Sequence, residues 1–284
     1  KKYQLRGEIL SFIPVDKNVE IMLVTITNTG RMAQTVTPTA AIPLYGRSAD
    51  NIRDHRHVTS LLHRIETTDT GVLVTPTLSF DERGHQVNHM TYYCVGWSGN
   101  GEKPVDFYPT AEDFVGEGGN FERPYAIVKN AEGVKAGTKI EGLEAVGGLH
   151  FSEITLEPEE ECSYLIFTGI TEDIQEIRNL SKTYTTREKV LEELEKTKAY
   201  WQEKVNVAYH TGDSDFNQFM HWVSFQPILR RIYGCSFLPH HDYGKGGRGW
   251  RDLWQDCLAL LIMNPDGVRQ MLLDNFAGVR IDGS

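Results

Sequence analysis

The chain has 284 residues, 40% of them hydrophobic and 24% charged, with 29 Lys and Arg against 39 Asp and Glu for a formal net charge of −10. That balance argues against a binder of nucleic-acid backbones, which needs clustered cations, and against an anionic membrane surface, so neither nucleic acid nor membrane is an expected partner. No run of about 18 apolar residues offers a membrane span, and the opening KKYQLRGEIL carries the charge of a signal peptide without its apolar stretch.

Residues 1–172 read as a β-sandwich domain. The segments YQLRGEILSFIPV, VEIMLVTITNTG, GVLVTPTLSF, MTYYCVGW, GGLHFSEITL and CSYLIFTGIT are rich in Val, Ile, Thr, Tyr and Phe at period two. Gly, Pro, Asn and Asp punctuate the gaps. Many strands with long polar connections predict a large antiparallel sandwich, each strand with one face inward and one toward water. Cys94 and Cys162 fall in these strand-like surroundings, and Cys235 and Cys257 follow later. No C-x-x-C pair or zinc spacing joins the four, so buried free thiols in a reducing, cytoplasmic setting are expected, with no metal and no cofactor.

Residues 173–212 read as a helical linker. TTREKVLEELEKTKAYWQEKV places Val190, Leu191, Leu194, Thr197, Trp201 and Val205 on one face at helical spacing. Thr185 and Glu188 have the spacing of a capping box. Residues 213–284 then read as less polar helices. FNQFMHWVSFQPILRRIY puts Phe216, Phe219, Met220 and Val223 on one face, with Pro227 expected to kink or end the helix. WRDLWQDCLALLIM follows, and Pro265 restarts a helix. So few helices bury their own apolar faces poorly, and the absence of an initiator Met points the same way: the chain is expected to be a piece of a longer polypeptide.

Some motifs mislead. His85 and His89 in GHQVNH have the spacing of a zinc protease but lack its Glu, and they enter a strand. Asp54 to His57 (DHRH) and His240 to Asp242 are runs of adjacent groups that diverge. GKGGRG is neither a Walker loop nor a dinucleotide fingerprint.

The helix after that loop is more informative. At about 100° per residue, Arg251, Asp252, Gln255 and Asp256 fall in one arc roughly 140° wide, and the same arc continues as Ala259, Ile262 and Met263. Polar groups confined to the mouth of a helix that is buried all round further in describe a pocket floor. A buried ion-pair cluster, Arg251 with Asp252 or Asp256, is the competing reading. Trp250 and Trp254 offer flat faces of the kind that stack on sugar rings, and Asp, Arg and Gln offer the paired donors and acceptors that hydroxyls need.

HDYGKGGRGWRDLWQDCLALLIMNP resembles glycoside hydrolase family 94, the inverting β-glucoside phosphorylases, whose aromatic-Arg-Asp-x-x-Gln-Asp motif corresponds to Trp250 through Asp256. The Gly-Lys-Gly-Gly-Arg-Gly lead and Trp254, with FDERGHQVNH, FYPTAEDFVGEGG and FAGVRIDGS, are most similar to the 1,2-β-oligoglucan phosphorylase branch. The resemblance implies a β-sandwich, linker helices and the first helices of an (α/α)6 barrel whose remainder is a partner outside these residues, with a homodimer as a candidate assembly. It implies phosphorolysis, in which inorganic phosphate, a co-substrate, attacks the anomeric carbon of a terminal β-glucose while a carboxylic acid protonates the leaving oxygen. It assigns Arg251 and Asp256 to the glucose beside the scissile bond. Trp250, Asp252, Trp254 and Gln255 follow by position, and His240, His241, Asp242 and Arg248 edge the same pocket. Lys245 and Arg248 are the nearest candidates for phosphate. The family's general acid sits in an Asp-Trp-Asn-like motif further along, absent from these residues, so no catalytic residue is assigned here. A hydrolase or transglycosylase on the same architecture, and a non-catalytic carbohydrate-binding sandwich, are the alternatives.

Overall fold

The computed structural model describes residues 4–46, 59–81, 84–233 and 249–283. Contacts divide the chain into two compact units, residues 1–197 and 198–284.

The first unit is built from antiparallel strands. β1 (Leu5–Phe12), β2 (Val19–Asn28), β5 (Arg64–Thr67), β6 (Gly71–Val74), β9 (Thr91–Ser98), β11 (Lys139–Glu141) and β14 (Glu161–Thr171) form a seven-stranded sheet in the order β1-β2-β14-β9-β6-β5-β11. β4 (Thr39–Leu44), β10 (Asp106–Thr110) and β12 (Ala145–His150) form a second sheet, ordered β10-β12-β4. Two small pairs complete the set: β3 (Gln34–Val36) with β13 (Ile154–Leu156), and β7 (Leu78–Asp81) with β8 (Gly84–Val87). His85 therefore belongs to a hairpin strand, as the sequence context indicates, and among the described residues no group of His, Cys, Asp or Glu is placed to hold a metal ion.

The alternation in β2 explains how the large sheet packs, and it differs from the expectation of one wet face. Val19, Ile21 and Leu23 join Val95, Trp97, Leu165 and Phe167 on one side; Met22, Val24 and Ile26 join Cys94, Tyr164 and Ile166 on the other. Both parities are apolar, so the central strands are buried on both faces. One face meets the second sheet through Phe107, Leu149 and Phe151. The other is covered by α3 (Ile174–Thr183) and the start of α4 (Arg187–Lys204), through Ile177, Leu180, Tyr184 and Val190. The register places Phe167 opposite both Ile21 and Val95. Trp97 stacks on Phe167 at 4.7 Å between ring centroids, and its indole N–H donates to the Tyr184 carbonyl at 2.9 Å. At Gly147 the second sheet comes so close that a Cβ would overlap the Cys94 side chain. Two short helices, α1 (Ala111–Val115) and α2 (Tyr125–Lys129), lie beyond β10, the first capped by the Thr110 hydroxyl, which accepts from the Asp113 N–H at 3.0 Å.

α4 starts one residue later than the capping-box spacing predicts. Its first residue is Arg187, and Glu188 draws on its own backbone N–H and on the Thr186 hydroxyl, which hold its carboxyl below the usual range. Val190 and Thr197 are buried on this helix, while Leu191 is exposed.

The second unit contains the end of α4, then α5 (Ser214–Tyr233), α6 (Trp250–Met263) and α7 (Val268–Phe276). Its core is Ile228, Leu253, Cys257, Leu260 and Val268, with Trp201, Val205, Met271 and Leu272 packed on it. α5 does not end at Pro227 but runs on to Tyr233. Its buried face is Ser224, Pro227 and Ile228, whereas Phe216 and Phe219, expected inside, are exposed. α7 begins at Val268, three residues after Pro265, behind a Gly267 with φ +77°. Among the described residues, no helix is long and apolar enough to cross a membrane.

Candidate functional site

Residues three or four apart on a helix share a face, so Gln226 and Arg230 of α5 project together, as do Asp252, Asp256 and Ala259 of α6. These two faces, with Val207 and Tyr209 from the segment before α5, line a cavity of about 540 Å³. That volume is within the usual range for a small-molecule site. Pro227 sits in the α5 wall; lacking an N–H, it withdraws the ordinary helical donor from the Val223 carbonyl at the edge of the same cavity.

The polar centre is an arginine–carboxylate pair. Arg230 Nε donates to both Asp256 oxygens, at 2.9 and 3.0 Å, and Nη2 donates to Oδ1 at 2.7 Å. Nη1 donates to Gln226 Oε1 at 3.0 Å. Asp256 is only 3% exposed, and a buried carboxylate needs such a partner to remain charged. Arg231, next along α5, donates to the carbonyls of Asn264 and Asp266 at 3.1 and 3.2 Å, which ties α5 to the C-terminal end of α6. A cation there also suits the helix dipole.

The cavity offers a mixed chemistry. Asp252 and Asp256 accept, Gln226 and Gln255 carry amides, Ser224 and Tyr209 carry hydroxyls, and Val207, Val223, Ala259 and Ile262 are apolar. Among the described lining residues, groups that can bind hydroxyls therefore stand beside apolar surface.

Of the residues singled out by sequence, Asp252, Gln255 and Asp256 line this cavity. Arg251 does not; its side chain is 82% exposed and donates to Asp252 Oδ1 at 3.2 Å. Arg251 thus pairs with Asp252 at the surface and not in the buried cluster of the competing reading, and the partner of Asp256 is Arg230, from a different helix. Trp250 and Trp254 also lie off the cavity and meet Phe276 of α7 edge-on, at 5.1 and 5.7 Å. Nor is α6 buried all round: Leu258 is 66% and Ile262 77% exposed, because the described helices cover only the side bearing Leu253, Cys257 and Leu260. His240, His241, Asp242, Lys245 and Arg248 lie outside the described residues, as do Asp54 to His57.

Sequence reasoning missed Arg230 and Gln226. The signal was present as a polar pair four residues apart beside an intrahelical proline, in QPILRR. A wider hollow of about 750 Å³, walled by Trp201, Trp222, Phe225 and His221, adjoins Val207 as well. The aromatic surface near the cavity therefore comes from these residues and not from Trp250 and Trp254.

The description of the glycosyl hydrolase 94 supersandwich domain matches residues 1–187. A curated relative, the cyclic β-(1,2)-glucan synthase NdvB of Rhizobium meliloti (strain 1021), is 26% identical over 194 residues, 67% of this chain. The chain spans about 6% of that relative's length. Among solved structures, a polysaccharide lyase aligns at 10% identity over 63% of this chain and 22% of its own, with a TM-score of 0.33, a likeness too low to carry an argument.

Proposed function

The chain belongs to the glycosyl hydrolase 94 family through its supersandwich domain, and from that premise we propose that it is part of an inverting phosphorylase acting on β-linked glucan. Inorganic phosphate attacks the anomeric carbon of the terminal glucose, a protein carboxylic acid protonates the departing oxygen, and α-glucose 1-phosphate leaves with inverted configuration. The observation that carries this reading is the convergence of Asp252, Gln255 and Asp256, three members of the family-like motif, on one cavity of mixed polarity. This segment then supplies part of the glucose-binding subsite, with Asp256 as the anchored acceptor and Arg251 at the rim beside Asp252. The β-1,2 linkage draws support from the relative named for a β-(1,2)-glucan.

The general acid belongs to residues beyond these, so the 284-residue chain alone binds sugar without turning it over. The exposed apolar side of α6 is where the remaining barrel helices pack. Phosphate is the co-substrate, no cofactor is required, and the free thiols Cys94 and Cys162 suit a cytoplasmic setting.

The test uses the complete polypeptide that carries this segment, given β-1,2-, β-1,3- and β-1,4-linked glucose disaccharides with and without phosphate. The expected result is phosphate-dependent release of α-glucose 1-phosphate, fastest from the β-1,2 sugar. Asp256→Asn lowers kcat/KM by about two orders of magnitude, roughly 2.7 kcal/mol of transition-state stabilisation. Free glucose released at the same rate without phosphate identifies a hydrolase instead.

A further inference from the structure

We propose that Gln226 and Asp256, both oriented by Arg230, form a donor–acceptor pair that reads two hydroxyl groups of a neutral sugar ring and keeps phosphate out of this cavity. The inference rests on the sugar-binding reading above and adds to it two residues, Gln226 and Arg230, with separate roles.

The argument is one of hydrogen-bond direction. A guanidinium donates only. Because Arg230 Nη1 meets Gln226 at 3.0 Å, the amide must present its oxygen there; turned over, it would set N–H against N–H. Nε2 is thereby assigned as the amide's donor end, and the orientation follows from chemistry, although oxygen and nitrogen look alike. On the other side, three contacts from Arg230 engage Asp256 as an acceptor, and a carboxylate has about four lone-pair sites, so accepting capacity remains. Both side chains line the cavity.

A ligand that satisfies this pair must donate to one member and accept from the other. Neighbouring hydroxyls on a pyranose ring do both. The hydrogenphosphate dianion has a single proton to donate and would set two negative charges beside the Asp256 carboxylate, with Asp252, itself paired with Arg251, on the same wall. The positive charge of Arg230 is already engaged by Asp256. Arg230 is therefore a positioning residue for sugar recognition and no phosphate ligand, although it is an arginine lining the proposed site of a phosphate-using enzyme.

The experiment titrates the 284-residue chain by calorimetry with sophorose, with sophorose analogues each lacking one hydroxyl on the non-reducing glucose, and separately with inorganic phosphate. Gln226→Glu keeps the side-chain shape and the contact to Arg230 but replaces the donor with an acceptor. Gln226→Leu removes both, and thermal unfolding checks that each variant folds. Sophorose affinity is expected to fall at least tenfold in either variant. One deoxy analogue should bind the parent chain more weakly than sophorose does, yet bind Gln226→Leu as well as sophorose does, which a merely structural role would not produce. Sophorose affinity unchanged in folded Gln226→Glu, or phosphate displacing sophorose from the parent chain, overturns the pair while leaving the sugar site standing. A parent chain that binds no sophorose overturns the sugar-binding reading and the pair with it.

Discussion

His63 shows how one side chain can make the first unit sensitive to pH. It is buried, and its Nδ1 donates to the Leu143 carbonyl at 3.1 Å. Burial pushes its pKa below 6.5, against the opposing pull of the Leu143 and Gly46 carbonyls and of Glu144. The neutral ring is the folded form. Above pH 6.5 neither state binds the proton; as pH falls through 6.5 the unfolded chain takes it up and the folded chain does not, so stability drops until the lower folded-state value is passed. Urea midpoints at pH 7.5 and 5.5 should therefore differ more for the parent than for His63→Gln, and equal differences would remove His63 as the cause. Residues also limit what sequence can reveal. The place of Asp256 in the polar arc of α6 was legible because an arc is a local pattern, but Arg230 stands 26 positions earlier in the chain, and nothing local says which cation a carboxylate will meet.

At the scale of elements, α6 carries two kinds of leucine. Leu260 is buried in the core of the second unit, while Leu258 is 66% exposed. Leu260→Ala is expected to lower stability by about 2–5 kcal/mol, the usual cost of emptying a core position. Leu258→Ser should change the chain by less than about 0.5 kcal/mol, as surface substitutions do; chemical denaturation of both variants measures the contrast, and an equal loss would show the outer face to be covered. The helix itself, its start after Gly249 and its polar mouth were readable from the 3.6-residue period. Which flank is buried was not, because WRDLWQDCLALLIM is apolar on several sides and burial follows the neighbours. The β-strands behave alike. Period two in VEIMLVTITN identified a strand, but with apolar residues at both parities only the arrival of α3 on one face and the second sheet on the other decided that both are dry.

For the whole molecule, the contact boundary after Thr197 falls inside α4. The first unit has its own two-sided core and should fold alone. Residues 1–197 contain a single tryptophan, Trp97, stacked between strands and under Tyr184, so its fluorescence should be that of a buried indole and be lost in one cooperative urea transition. A solvent-like emission in buffer would show that the unit depends on later residues. The amino-acid sequence by itself determined the order of strands then helices, the polar mouth of α6 and the family resemblance, because hydrophobic period, helix arc and motif spacing are properties of neighbouring residues. Tertiary structure alone decided that Arg230, not Arg251, holds Asp256, that Trp250 and Trp254 turn to Phe276, and that the central strands of the large sheet are covered on both faces. Each of these depends on which distant side chains a fold brings within about 3–6 Å, a fact written in no local stretch of the chain.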